Sequence, residues 1–160
     1  MKTKTTLPLS LFVIGLFSNC KKECSCNQQL DDYLVFGNYY GMCAGETCVE
    51  IFKIENGTLY EDSNDNYPPD GAYTGNYSAL TSAKYDLVKD LSNHIPTQLL
   101  NESDGYIGIP DAYDQGGYVL ELKENGTVRY WRIDTDTSGI PTYLHAFTDT
   151  LRSYIDKISD

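Results

Sequence analysis

Val49-Glu50-Ile51-Phe52-Lys53-Ile54 runs into Glu55-Asn56-Gly57 and out again through Thr58-Leu59-Tyr60, and this stretch decides the fold. Branched and aromatic residues suited to strands flank an Asn-Gly pair. That pair supplies two successive positive-φ positions, as a type I′ turn requires, and the twist of such a turn suits the strands beside it. The stretch predicts a β-hairpin. The same device returns at Tyr118-Val119-Leu120-Glu121-Leu122-Lys123, then Glu124-Asn125-Gly126, then Thr127-Val128-Arg129-Tyr130-Trp131-Arg132-Ile133. Both turns read Glu-Asn-Gly-Thr, which favours convergence on good hairpin chemistry over duplication.

Upstream, Tyr33-Leu34-Val35-Phe36 predicts a short N-terminal strand. Between the hairpins, residues 61–77 are rich in Asp, Asn, Pro and Gly and predict a long loop. Leu80, Ala83, Lys84, Leu87, Val88 and Leu91 then recur at helical spacing, ending near Asn93 and before Pro96. Pro141 suits the first turn of a second helix, whose stripe is Leu144, Phe147, Thr148, Leu151, Tyr154, Ile155 and Ile158. Two hairpins, each followed by a one-faced helix, predict a two-layer α+β domain over residues 33–160. Its antiparallel sheet consists of the two hairpins plus the N-terminal strand, with both helices on one face.

The 160-residue chain holds 12 Lys and Arg against 23 Asp and Glu. Lys2 and Lys4 belong to an N-terminal segment with no acid. Loss of that segment leaves 10 basic against 23 acidic residues, a net charge of −13. Such a field repels phosphate, so nucleic acid is not expected as a partner, while cations and basic proteins are attracted.

The two lysines precede the apolar run Leu7-Pro8-Leu9-Ser10-Leu11-Phe12-Val13-Ile14-Gly15-Leu16-Phe17, of export-signal length and too short to span a bilayer. Ser18-Asn19-Cys20 follows and resembles a lipobox, with Phe17 and Asn19 departing from its usual residues. Residues 1–19 are therefore expected to be a lipoprotein signal peptide, Cys20 the lipidated N-terminus, and residues 20–32 a polar tether. The anchor is the expected membrane contact, through N-terminal acyl chains.

Cys24, Cys26, Cys43 and Cys48 remain, and four cysteines in an exported chain suggest disulfides in one of three connectivities. Cys43 with Cys48 is the preferred bridge, since Ala44-Gly45-Glu46-Thr47 can bring the two together as a short turn. A four-thiolate zinc site is the competing idea, but C-x-C with C-x4-C lacks paired C-x2-C knuckles.

The stretch Phe36-Gly37-Asn38-Tyr39-Tyr40-Gly41-Met42-Cys43-Ala44-Gly45-Glu46-Thr47-Cys48-Val49-Glu50-Ile51-Phe52, the Asn-Gly hairpin and the closing Pro141-Thr142-Tyr143-Leu144 helix resemble uncharacterised Bacteroidetes lipoproteins, domains of unknown function. In such lipoproteins Lys-Lys-Glu often follows the lipidated Cys, as Lys21-Lys22-Glu23 do here. Related domains carry Cys-Pro where this chain has Cys48-Val49. The resemblance implies a compact fold and an outer-membrane lipid anchor, either facing the periplasm or exposed at the cell surface. It implies no activity.

Asp134-Thr135-Asp136-Thr137-Ser138-Gly139 has the oxygen spacing of the first half of a calcium loop. The twelfth position is His145 rather than a bidentate Glu, so Asp134, Asp136 and Ser138 read as a backbone-bonded turn and no metal is expected. Asp62, Asn64, Asp65, Asn66 and Asp70 form a second acidic loop, with Tyr67 where a turn glycine would be needed. His94 and His145 are the only histidines, no Ser or Cys stands in a nucleophile setting, and Asp111 with Asp114, or Glu121 with Glu124, have no catalytic motif behind them. No enzyme activity and no cofactor are expected. Tyr106, Tyr113, Tyr118, Tyr130 and Trp131 gather around the second hairpin and the loop before it. Tyr118, Tyr130 and Trp131 are the candidate binding residues, on a sheet face opposite the helices. Two roles are open: a non-catalytic binding module for a protein or glycan, or a small acidic inhibitor of a basic envelope enzyme such as a muramidase or protease.

Overall fold

Both Asn-Gly turns form as the spacing demands. In the computed structural model, which describes residues 32–159, Asn56 and Gly57 sit at φ 50° and 72°, and Asn125 and Gly126 at 51° and 81°. The signal segment, Cys20, Cys24, Cys26 and the tether up to residue 31 lie outside the described residues. The first turn joins β2 (Val49–Glu55) to β3 (Thr58–Asp62), and the second joins β6 (Gly117–Glu124) to β7 (Thr127–Asp134). The first strand, β1 (Tyr33–Tyr39), lies between the hairpins and pairs antiparallel with β2 on one side and β6 on the other.

The sheet has seven strands rather than the five expected from two hairpins and one strand. β4 (Tyr77–Ala79) extends one edge beside β3, and β5 (Gly105–Ile107) extends the other beside β7, giving the order β4-β3-β2-β1-β6-β7-β5. Each added strand is three residues long and sits among Gly, Asp and Asn, too short for a period-2 pattern to register. β5 runs parallel to its neighbour, and all other pairings are antiparallel.

Alternation along the strands divides the side chains cleanly. Leu34, Phe36, Phe52, Leu59, Tyr118, Leu120, Trp131 and Ile133 face a layer formed by α1 (Ser82–Val88), α2 (His145–Ile158) and the 3-10 turns near them. The α2 stripe is as read from sequence, with Phe147, Thr148, Leu151, Ile155 and Ile158 buried. The first helix is shorter than its pattern suggested. Leu80 is still tied to the sheet by its N–H to the Leu59 carbonyl, the Thr81 side chain accepts from the Lys84 N–H to start the helix, and a 3-10 turn at Leu91–His94 replaces the last expected turn. Its inward stripe is therefore Tyr85, Val88 and Leu91, and Leu87 is 48% exposed. Among the described residues no helix is long and apolar enough to cross a membrane.

The opposite face is covered too. Val35, Tyr39, Val49, Ile51 and Val119 form a second core under residues 63–76, which cross the sheet as a strap and insert Tyr73. Gly37 of β1 belongs to this tight face: a Cβ there would collide with the Glu50 carbonyl across the strand pair.

The register also defines two ends. Tyr33 lies opposite Glu55 and Lys123, so the chain enters β1 beside both hairpin turns. Tyr39 lies opposite Val49 and Gly117. The far end therefore consists of residues 40–48, the strap, and the loops 108–116 and 135–140.

Candidate functional site

Two of the three aromatics picked out as binding residues are core. Trp131 is opposite Leu120 and Tyr118 opposite Ile133, which puts both on the helix-facing side, where Trp131 is 0% exposed. The Tyr118 hydroxyl accepts from Nε of Arg152 on α2 at 2.8 Å. Tyr130 alternates to the other face and is half-buried, with the Arg132 guanidinium 5.7 Å from its ring centre and its hydroxyl 3.5 Å from Asp70. The expected aromatic hairpin face is thus not a surface, because alternation turns its largest members inward and the strap covers the other side.

Beneath the strap lies a buried set of charges. Glu121 accepts from the Tyr33 hydroxyl and the Tyr73 N–H, both at 2.7 Å. Asp62 accepts from the Tyr73 hydroxyl and the Asn76 N–H, both at 2.5 Å. Arg132 donates to the carbonyls of Gly71 at 2.7 Å and Pro69 at 3.2 Å. Two carboxylates and a guanidinium, all nearly inaccessible, thus grip strap backbone and phenol groups, as buried charges must if they are not to go uncompensated. Burial, and then the bond to Asp62, raise the Tyr73 phenol above its ordinary pKa and keep it a donor.

Two further carboxylates organise the far end. Asp111 Oδ2 accepts from the Gly41 N–H at 2.8 Å and the Tyr67 hydroxyl at 3.0 Å, and Oδ1 accepts from the Gly116 N–H at 3.1 Å. It joins the disulfide loop, the strap and its own loop. Tyr67 also meets Tyr39 edge to face at 5.0 Å, and burial followed by the Asp111 bond pushes its phenol up to about 12. Asp134, 1% exposed, accepts from the N–H groups of Ile109 at 3.0 Å and Asp136 at 2.9 Å, and from Gln115 Nε2 at 3.2 Å. Asp136 in turn caps the Ser138 N–H at 2.9 Å, which holds its carboxyl below the usual range. Asp134, Asp136 and Ser138 lie in a turn whose backbone N–H groups donate to the two carboxylates. Among the described residues no group of three His, Cys, Asp or Glu is arranged to hold a metal.

What these clamps hold up is apolar and exposed. Tyr40, Met42, Tyr67, Tyr106, Ile109 and Tyr113 all lie at this end, and they make up six of the eight large hydrophobic side chains exposed among the described residues. The other two, Leu87 and Leu100, lie on the helix side of the molecule. Tyr40 lies against Gly116, where a Cβ would collide with its ring. Ile109, Tyr113, Gln115, Asp134, Asp136 and Ser138 line a cleft of about 440 Å³. Tyr106 and Tyr113 belong to the aromatic group visible in the sequence. Tyr40, Met42, Tyr67 and Ile109 were missed, and the available signal was large apolar side chains inside Gly-, Pro- and Asp-rich loops, where no strand or helix could bury them.

Cys43 and Cys48 form the preferred bridge, with Cα atoms 5.6 Å apart, and it closes the loop that adjoins Met42. His94 and His145 work in the helix layer: His94 packs edge-on against Tyr154, and the His145 ring nitrogen lies 3.3 Å from the Ile140 carbonyl. No protein-family model matches the chain, and no curated protein matches it.

Proposed function

We propose that this protein is a lipid-anchored, non-catalytic binding module of the cell envelope, holding a protein or glycan at the tyrosine-bearing far end of its sheet. Lys2, Lys4, the apolar run to Phe17 and Cys20 support the anchor. The observation that carries the reading is the segregation of exposed apolar side chains at one end, on loops pinned by Asp111 and Asp134. An exposed patch on a rigid support costs little ordering entropy when a partner binds, whereas the same residues on a loose loop would lose much of the gain. Tyr33, where the chain enters β1, lies at the opposite end of the sheet from this patch.

Photo-crosslinking in intact cells tests it. A crosslinking side chain at position 113 should give a defined adduct, and the same group at exposed position 87 should not. Equal adducts at both positions, or none at 113, would count against the reading. A Cys20→Ala chain that still fractionates with membranes would remove the anchor.

A further inference from the structure

We infer that the far end docks a cationic protein segment, with one Lys or Arg side chain of that partner seated in the cleft between Tyr113 and Asp136. The inference rests on the binding-module reading and names the chemistry of the partner. Residues 40–48, 63–76, 108–116 and 135–140, which build this end, hold six Asp or Glu and not one Lys or Arg. Among the described residues, two basic side chains near it are otherwise engaged. Arg132 is buried under the strap and bonded to strap carbonyls, and Arg152 donates to Tyr118 from the helix side. The exposed phenols and carboxylates are therefore complementary to positive charge in a chain that is strongly acidic overall.

The cleft fits a basic side chain in detail. Ile109 and Tyr113 line it with apolar surface for a methylene stem, and Asp136 and Ser138, both exposed, line it with oxygen acceptors. Asp136 is exposed and uses one oxygen on the Ser138 N–H. Its remaining acceptor sites can take a guanidinium or ammonium without stripping the loop of its own bonds. Tyr106 and Tyr67 lie on the strap side of the same end, where phenol faces favour further cations. Tyrosine-rich surfaces flanked by carboxylates give a partner both contact area and charge steering, with modest loss of side-chain entropy.

The test uses the full chain with an immobilised set of random short peptides, and with peptidoglycan-derived oligosaccharides in parallel. The expected result is retention of peptides enriched in Lys and Arg. Affinity should fall as salt is raised from about 20 mM to about 300 mM, a range over which exposed charges become screened. Tyr113→Ala and Asp136→Asn should each weaken binding at least tenfold while circular dichroism stays unchanged. Asparagine keeps the Ser138 cap, so its loss reads charge rather than folding. Retained peptides without charge bias, or binding that both variants leave intact, would overturn the inference. Oligosaccharide binding lost in Tyr113→Ala, with no peptide bound, would overturn the cationic partner yet keep the module. No probe bound through these residues would count against both.

Discussion

The backbone N–H of Tyr73 donates to the Glu121 carboxylate at 2.7 Å, so a side chain from the middle of the sheet holds the main chain of the strap that covers it. The phenol of the same tyrosine reaches Asp62. The strap is thus fastened twice through one residue, by bonds to buried charges. Glu121→Ala should cost about 3 kcal/mol, since a charge-accepted bond is lost and a buried N–H is left without its acceptor. Tyr73→Phe keeps that N–H bond and should cost only about 1 to 2 kcal/mol. Urea unfolding midpoints check the order; a reversed ranking would mean that Asp62, not Glu121, is the principal fastening.

Alkaline pH should loosen the same strap. Burial raises the Tyr73 phenol above the ordinary 10.0, as does its bond to Asp62, and Tyr67 is pushed up to about 12 by burial and Asp111. A folded pKa above the unfolded one means that the folded state prefers the protonated phenol. That stability is present in full below about pH 10 and is lost as pH climbs through the folded values. Phenolate absorbance and unfolding free energy, followed together from neutral pH to about 12, should change in step, and Tyr73→Phe should flatten the loss.

Trp131 and Tyr113 should separate stability from recognition. Trp131→Ala removes a side chain that is 0% exposed between sheet and helices and should cost about 3 to 5 kcal/mol. Tyr113, 81% exposed, should tolerate alanine within about 0.5 kcal/mol. Thermal unfolding decides it, and a large loss at Tyr113 would make that ring structural rather than a contact surface.

The Cys43–Cys48 bridge closes a small loop, so chain-entropy reasoning gives it about 2 kcal/mol. The double serine variant should lose roughly that amount. It should also weaken binding at the far end beyond the stability effect, because Met42 adjoins the freed loop. Tyr40 still donates its N–H to the Cys48 carbonyl, so β1 and β2 should stay paired. Melting curves and binding of the same peptides, measured side by side, check both parts.

Local rules made the hairpins and the second helix legible: Asn-Gly fixes a turn from two residues, and the stripe from Leu144 to Ile158 spans enough turns to declare its period. The edge strands were hidden because three residues such as Gly105, Tyr106 and Ile107 carry no pattern of their own, and pairing with β7 alone makes them a strand. The first helix was overdrawn for a related reason. Leu80 and Leu87 fit helical spacing, but one belongs to the end of β4's hydrogen-bond ladder and the other to solvent. At the far end the residue types were visible and their convergence was not. Asp111 ties Gly41 and Tyr67, 70 and 44 residues away, to its own loop, and distances of that kind along the chain leave no local trace.

The position of β1 has a kinetic meaning. The strand made first is the one that needs the last partners, since Tyr39 faces Val49 nearby but also Gly117 far along the chain. Closing the longer of those loops, about three doublings beyond the shorter, costs roughly 2 kcal/mol more in chain entropy. The two hairpins can zip locally, each around its own turn, while the sheet as a whole waits for the second to arrive. Until then β1 has one edge without its neighbour, and a newly made chain presents Leu34, Val35 and Phe36 to whatever else is extended and sticky. A chain delivered from its N-terminus is therefore most vulnerable to mispairing in the interval before residues 117–124 appear, which makes the pace of delivery, as much as the final contacts, a determinant of how much of it folds.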